Sequence, residues 1–436
     1  MNARIFFWSL TSALAGFLFG FDTVVISGAE KTIQTLWGLS PGLHGIAMAS
    51  ALYGTVVGAL AGGWPADRFG RKATLLWIGV LYFVGALGSG LAPNVATFIV
   101  ARVIGGLGIG ISTVVAPMYI SEIAPAKHRG RLAGMFQFNI VFGILVAYVS
   151  NALLSGIGDN AWRWMLGVAA FPSLLYAISC FGLPESPRWL LTHGRLEEAD
   201  VITTQIEAKV QADRGGEPLP RPADHDVDDL SARGTFSEIW QPPYRGRTIM
   251  LMVFQFFQTF GFYGFAAWVP TLIAKQVGIN LAGSLQYAFI VAIANPFGPL
   301  LAMSFADKCE RKWQLVGAAV CIGVFGVLFS QQSTMELLIL FGVLITLSNN
   351  VLSYSFHSYQ SELFPTRVRA RAIGFTYSFS RISTVFASLI IGFFFDNFNG
   401  TTGVFGLIAF AMLMVVLSIG IFGPRTSNLE LEKISH

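Results

Sequence analysis

The stretch Tyr119–Gly134, YISEIAPAKHRGRLAG, decides the fold, because it recurs at Tyr359–Gly374 as YQSELFPTRVRARAIG. A second pair behaves the same way. In GWPADRFGRK (Gly63–Lys72) and FADKCERK (Phe305–Lys312), Asp67, Arg71 and Lys72 return as Asp307, Arg311 and Lys312. The spacing is 240 residues in both cases (359 − 119 and 307 − 67). One offset shared by two separate motifs means that a whole module is duplicated.

The material between the motifs is apolar. Of 436 residues, 54% are hydrophobic and only 12% charged, and the mean hydropathy is +0.61; a soluble domain carries roughly 25% charged residues. The chain therefore reads as an all-α integral membrane protein. Its 47 Gly and 38 Phe suit helices packed closely in lipid. Duplicated halves in such a chain point to a secondary transporter made of two bundles. Three cysteines, Cys180, Cys309 and Cys321, have no paired spacing and no His cluster, so neither a disulfide framework nor a metal site is expected. No cofactor is expected either.

Segments long enough to span begin near Ile5, Leu43, Ala73, Asn94, Leu132 and Trp162, then near Thr248, Gly283, Trp313, Met335, Ala370 and Thr401. The pattern is six and six, or 12 transmembrane helices. Ile5–Ile26 has the length of a spanning helix and lacks a convincing cleavage site, so it is read as the first span rather than a signal peptide. The expected organisation is an N-terminal bundle over 1–183, a polar connector with short helices over 184–246, a C-terminal bundle over 247–424 and a tail over 425–436. With the N-terminus inside, all but five of the 28 Lys and Arg fall on one side, the exceptions being Lys31, Arg102, Arg163, Lys275 and Arg381. Both termini and the connector are thereby assigned to the cytoplasm of an inner or plasma membrane. The net charge of +4 is topological and implies no nucleic-acid partner.

The duplicated turn has two readings. Asp67, Arg71, Asp307 and Arg311 can bridge helix ends in one conformation and release in another, or they can merely mark the cytoplasmic side. The GGLGIG run at Gly105–Gly110 has no preceding strand, so it is a helix-packing feature rather than a dinucleotide loop. No nucleophile, metal cluster or nucleotide loop supports an enzyme.

GFLFGFDTVVISGA in the first segment, GWPADRFGRK, PMYISEIAP with RGRL, WRW and PESPRWLL together resemble the sugar porter family of the major facilitator superfamily. The likeness covers nearly all of the N-terminal half and is looser beyond it. It implies two pseudo-symmetric six-helix bundles that rock about a central site; the protein is expected to be a monomer. It also implies that Glu122 and Glu362, with the basic clusters Arg129/Arg131 and Arg369/Arg371, form cytoplasmic ion-pair networks that hold the outward-open state; helix capping is the plainer alternative.

Asp22 is the acid that lies well inside a predicted span, and an intramembrane carboxylate is a functional hypothesis by default. Arg102 lies about five residues into the fourth segment from the outer face, and Asp22 about six from the outer end of the first, so their depths match. An ionised Asp22 would be held by Arg102 and a protonated one released. In the proton-coupled members that this chain resembles, the matching aspartate accepts the proton. A static ion pair in a uniporter is the alternative.

For the solute, the resemblance implies Gln137, Gln258 and Asn295 as amide ligands, although a buried amide can also simply join two helices. The sequence departs from the family pattern at Phe257, where a glutamine is usual, at Tyr263, where an asparagine is usual, and at His357, in the usual tryptophan position. It departs again at Arg381, ten residues or about 15 Å beyond Arg371 along a helix. A mid-membrane arginine wants an anion, a tyrosine hydroxyl or backbone carbonyls. The sequence thus favours proton symport of a monosaccharide, with a small organic acid received by Arg381 and His357 as the second solute class.

Overall fold

The computed structural model describes residues 3–124, 129–154, 156–213, 235–278, 290–291, 293–306, 308–398 and 400–426. Among them there is no strand. The helices are α1 (Ala3–Leu36), α2 (Pro41–Ala61), α3 (Gly63–Phe69), α4 (Arg71–Leu91), α5 (Val95–Ile123), α6 (Arg129–Ala133), α7 (Met135–Leu154), α8 (Ala161–Gly167), α9 (Ala170–Cys180), α10 (Pro187–Thr192) and α11 (Leu196–Asp213). They continue as α12 (Tyr244–Val277), α13 (Phe297–Phe305), α14 (Arg311–Ser330), α15 (Met335–Glu362), α16 (Thr366–Asn397) and α17 (Thr401–Phe422).

Nine stretches among the described residues are long and apolar enough to cross a membrane. Helices α12 and α16, of 34 and 32 residues, also exceed the length of a span. The expected segment near Gly283 begins outside the described residues and is picked up by α13. Exposed large side chains such as Trp77, Leu87, Phe171, Leu175 and Ile178 give the outside of these helices an apolar surface suited to lipid. The chain is a multi-pass membrane protein.

It divides into two compact units. The first comprises Met1–Glu238 together with Phe364–Phe375, and the second Ile239–Leu363 together with Thr376–Ile434. In the first unit α1 packs on α7, α2 on α5, and α4 on α5 and α9. The α2–α5 contact explains the glycine run. A Cβ on Gly106 would lie 2.1 Å from Ala51 O, and one on Gly110 would lie 2.3 Å from Thr55 O. The two backbones approach as closely as they do because neither position has a side chain, and in lipid such close packing replaces hydrophobic drive. Ala370 and Ile373 join the core of this unit beside Met118, Tyr119 and Phe136.

In the second unit α14 packs on α15 and α17, α12 on α17, and α13 on α15. Its aromatic side chains do much of the filling: Phe329 lies 5.0 Å from Phe405 and Phe254 4.6 Å from Phe356, centroid to centroid.

Candidate transport site and latches

Asp22 on α1 and Arg102 on α5 meet inside the first unit. Arg102 Nη1 donates to Asp22 Oδ1 at 2.5 Å, and both residues are buried. The contact is single-pronged: Asp22 Oδ2 and Arg102 Nε have no hydrogen-bond partner among the described residues. A charge buried in a helix bundle is tolerated only when paired. Here each ion satisfies the other through one bond.

The duplicated motifs build a latch in each unit. In the first, Arg71 grips Glu122 with two donors, Nε to Oε2 at 3.0 Å and Nη2 to Oε1 at 3.2 Å. Its Nη1 donates to Ala66 O at 2.9 Å and to Asp67 Oδ1 at 3.4 Å. Arg369 Nη1 reaches the same Glu122 at 3.3 Å. Arg371 Nε stands 3.2 Å from Asp67 Oδ2, an ion pair without hydrogen-bond alignment. Burial pushes the Asp67 carboxyl above the usual carboxylate range, against the pull of Arg71 and Arg371.

The second unit repeats the arginine–glutamate pairing, through a different guanidinium nitrogen. Arg311 Nη1 donates to Glu362 Oε2 at 2.9 Å. Tyr359 Oη donates to Pro424 O at 2.9 Å, as Tyr119 Oη does to Pro184 O at 2.8 Å. The duplication therefore extends to the hydrogen bonds that tie each latch helix to the residues just after α9 and α17. Arg131 is half-buried on α6. The side chains of Arg129 and Tyr263, and Asp307 altogether, lie outside the described residues.

Two residues that the sequence reading passed over complete the first latch. Glu185 accepts from the backbone N–H of Arg71 at 2.8 Å and of Lys72 at 3.2 Å, capping α4 where Gly70 (φ +95°) has no side chain to do so. A Cβ on Gly70 would strike Glu185 Oε2 at 2.2 Å. Burial raises the Glu185 carboxyl as well, opposed by those N–H donors. Trp189 Nε1 donates to Asp67 O at 2.8 Å.

The expected solute residues divide by surroundings. Gln137 is buried on α7. In the second unit, half-buried Gln258 donates through Nε2 to Ser380 Oγ at 3.2 Å and toward Gln255 Oε1 at 3.5 Å. Asn295 Oδ1 accepts from Asn350 Nδ2 at 2.9 Å. His357 is buried with Gln360 Nε2 at 3.5 Å from its Nδ1. Arg381 donates from Nη2 to the Tyr377 hydroxyl and lies over the same ring, 4.8 Å from its centroid. Of the partners weighed for this mid-helix cation, a tyrosine hydroxyl is thus one that the fold supplies, together with the ring face.

Two bundle-like units with duplicated latches and a buried ion pair are the parts of a rocking transporter, and comparison with known proteins agrees. The model of the family described as sugar (and other) transporter matches residues 8–436. The chain belongs to that family. It is 32% identical to a glucose transport protein of Synechocystis sp., over 97% of this chain and 95% of that protein. It is 30% identical to a D-xylose-proton symporter of Escherichia coli, over 89% and 85%. A solved proton:xylose symporter of the major facilitator superfamily, bound to 6-bromo-6-deoxy-D-glucose, superposes with a TM-score of 0.84 at 27% identity, over 100% of this chain and 99% of that one. The protein is accordingly a secondary transporter of the major facilitator superfamily, with that superfamily's 12-helix fold, and not an enzyme.

Proposed function

We propose that this transporter carries a monosaccharide together with a proton by alternating access, in the inner or plasma membrane, as a monomer with both termini in the cytoplasm. The observation that carries the reading is the buried, single-pronged Arg102–Asp22 pair. Ionised, Asp22 holds Arg102 and favours the conformation in which the two helices are clamped. Protonation at a carboxylate oxygen removes the charge attraction, frees the guanidinium and lets other conformations compete. A proton that descends a potential of 100 mV supplies about 2.3 kcal/mol, enough for roughly 50-fold accumulation of a neutral solute.

Sugar recognition needs amides that both donate and accept, and Gln137, Gln258 and Asn295 supply them. Tyr263, His357 and Arg381 are assigned to the same task as residues that tune which sugar is taken. The latches Asp67–Arg71–Glu122–Arg369–Arg371 and Arg311–Glu362, with Arg129, Arg131 and Asp307 as their counterparts by the repeat, would hold one state of the cycle. The named relatives, a glucose transport protein and a D-xylose-proton symporter, support the sugar over the organic anion.

The deciding experiment is the internal pH of proteoliposomes when a sugar is added outside. Acidification with a hexose or pentose, lost in Asp22→Asn, is the expected result. A response to carboxylates only would overturn the sugar assignment.

A further inference from the structure

Gln255 lies one turn before Gln258 on α12 and is wholly buried, at 0% exposure. Its Oε1 faces Gln258 Nε2 at 3.5 Å, and its own Nε2 has no partner among the described residues. The second contact of Gln258 Nε2 is Ser380 Oγ at 3.2 Å. Ser380 Oγ is in turn 3.1 Å from Thr259 Oγ1, and Thr259 Oγ1 donates to Gln255 O at 3.1 Å. Either hydroxyl of the Ser380–Thr259 pair can be the donor, and Thr259 Oγ1 also lies 3.4 Å from Ser380 O. An amide nitrogen only donates, so Ser380 Oγ accepts from Gln258 in either case.

Both N–H bonds of Gln258 are thereby committed, one to Gln255 and one to Ser380. What half-buried Gln258 has left to offer is its Oε1, an acceptor. Gln255 meanwhile is an expensive way to fill this space. A buried amide with an unmet donor destabilises the fold, whereas a leucine there would carry no such cost. What the Gln255 amide supplies in return is its contact with Gln258.

We propose that Gln255 is a positioning residue for solute recognition: it holds the Gln258 amide with Oε1 presented as a fixed hydrogen-bond acceptor, so that the site selects solutes that bring a hydroxyl donor to that point. The proposal rests on the reading of Gln258 as a solute ligand. A sugar hydroxyl donates to Oε1 without the amide having to choose between its two orientations, and a solute whose matching group can only accept is disfavoured. The i, i+3 spacing puts Gln255 and Gln258 on one face of α12, and Ser380 on α16 supplies the second contact that fixes the amide.

The test measures uptake of labelled D-glucose, D-xylose and L-arabinose into proteoliposomes by wild type, Gln255→Leu, Gln258→Ala and the double variant, with thermal unfolding of each purified protein. Gln255→Leu should raise KM roughly 2- to 12-fold, the range of one orienting hydrogen bond, with the maximal rate little changed and the unfolding temperature equal to or above that of wild type. In the Gln258→Ala background the Gln255→Leu effect should vanish, because it acts through the amide that is gone. A KM unmoved by Gln255→Leu but raised by Gln258→Ala overturns the proposal and leaves Gln258 as a ligand. A Gln255→Leu effect that persists without Gln258 also overturns it. Loss of folding in both Gln255→Leu and Gln255→Met would make Gln255 structural and overturn it too. No effect of Gln258→Ala on any of the three sugars, or no uptake of any of them by wild type, removes the underlying solute reading instead.

Discussion

Arg102 holds Asp22 through one guanidinium nitrogen at 2.5 Å, with the second carboxylate oxygen left over. That oxygen is where the proposed coupling places the proton. Asp22→Asn should abolish accumulation against a gradient while counterflow exchange of the sugar stays measurable, read by uphill and exchange uptake in the same vesicles. Uphill transport by the variant would remove Asp22 from the coupling.

Two carboxylates of the first latch that lie outside the spans, Asp67 and Glu185, are both raised by burial. The folded protein then keeps their protons at pH values where the unfolded chain has released them, so stability from these groups is present at low pH and lost as pH rises. The loss begins near the ordinary carboxylate value, about pH 4. Glu185→Gln, which keeps an acceptor oxygen for the N–H groups of α4, should flatten this part of the profile. Unfolding temperatures between about pH 4 and pH 7 compare the two slopes; equal slopes would refute the assignment to Glu185.

Arg369 ties the segment Phe364–Phe375 to Glu122 of the first unit, while Arg71 holds the same carboxylate from the other side. Arg369→Ala leaves Glu122 paired and so should cost about 1–3 kcal/mol, less than the loss of a sole partner. Backbone hydrogen exchange in 364–375 should rise, with that around Arg71 little changed. Uniform loss of protection across the chain would point instead to general destabilisation.

Gly105 and Gly106 are neighbours with opposite tolerance. A Cβ on Gly106 would meet Ala51 O at 2.1 Å, whereas one on Gly105 would find its nearest neighbour, Gly85 Cα, at 3.7 Å. Gly106→Ala should lower stability by about 1–3 kcal/mol or more through forced separation of α2 and α5. Gly105→Ala should be close to neutral, and thermal unfolding of the two proteins in detergent gives the comparison.

Arg381 is engaged by Tyr377 through both hydroxyl and ring. Removing the hydroxyl in Tyr377→Phe should therefore alter uptake in the same direction as Arg381→Gln, and by a similar factor for every neutral sugar. A much larger effect on carboxylated solutes, measured in the same uptake assay, would show that the cation receives an anion.

The duplicated YISEIAP and YQSELFP stretches and the apolar spans between them determined the fold class, the twofold build and the membrane location, because those properties follow from periodicity and transfer energy, which are local. They also told which residues carry charge where charge is costly: Asp22, Arg102 and Arg381. Matching depth in two spans was enough to pair Asp22 with Arg102 across 80 residues, but the capping bond from Arg71 N to Glu185, 114 residues away, is chosen by helix packing and left no such mark. Tertiary structure likewise decided that Arg381 lies against Tyr377, that Phe364–Phe375 stands with the first unit and that Gln255 stands behind Gln258. An amide is chemically the same wherever it lies on a helix, and only the neighbouring helix fixes which of its atoms are already in use.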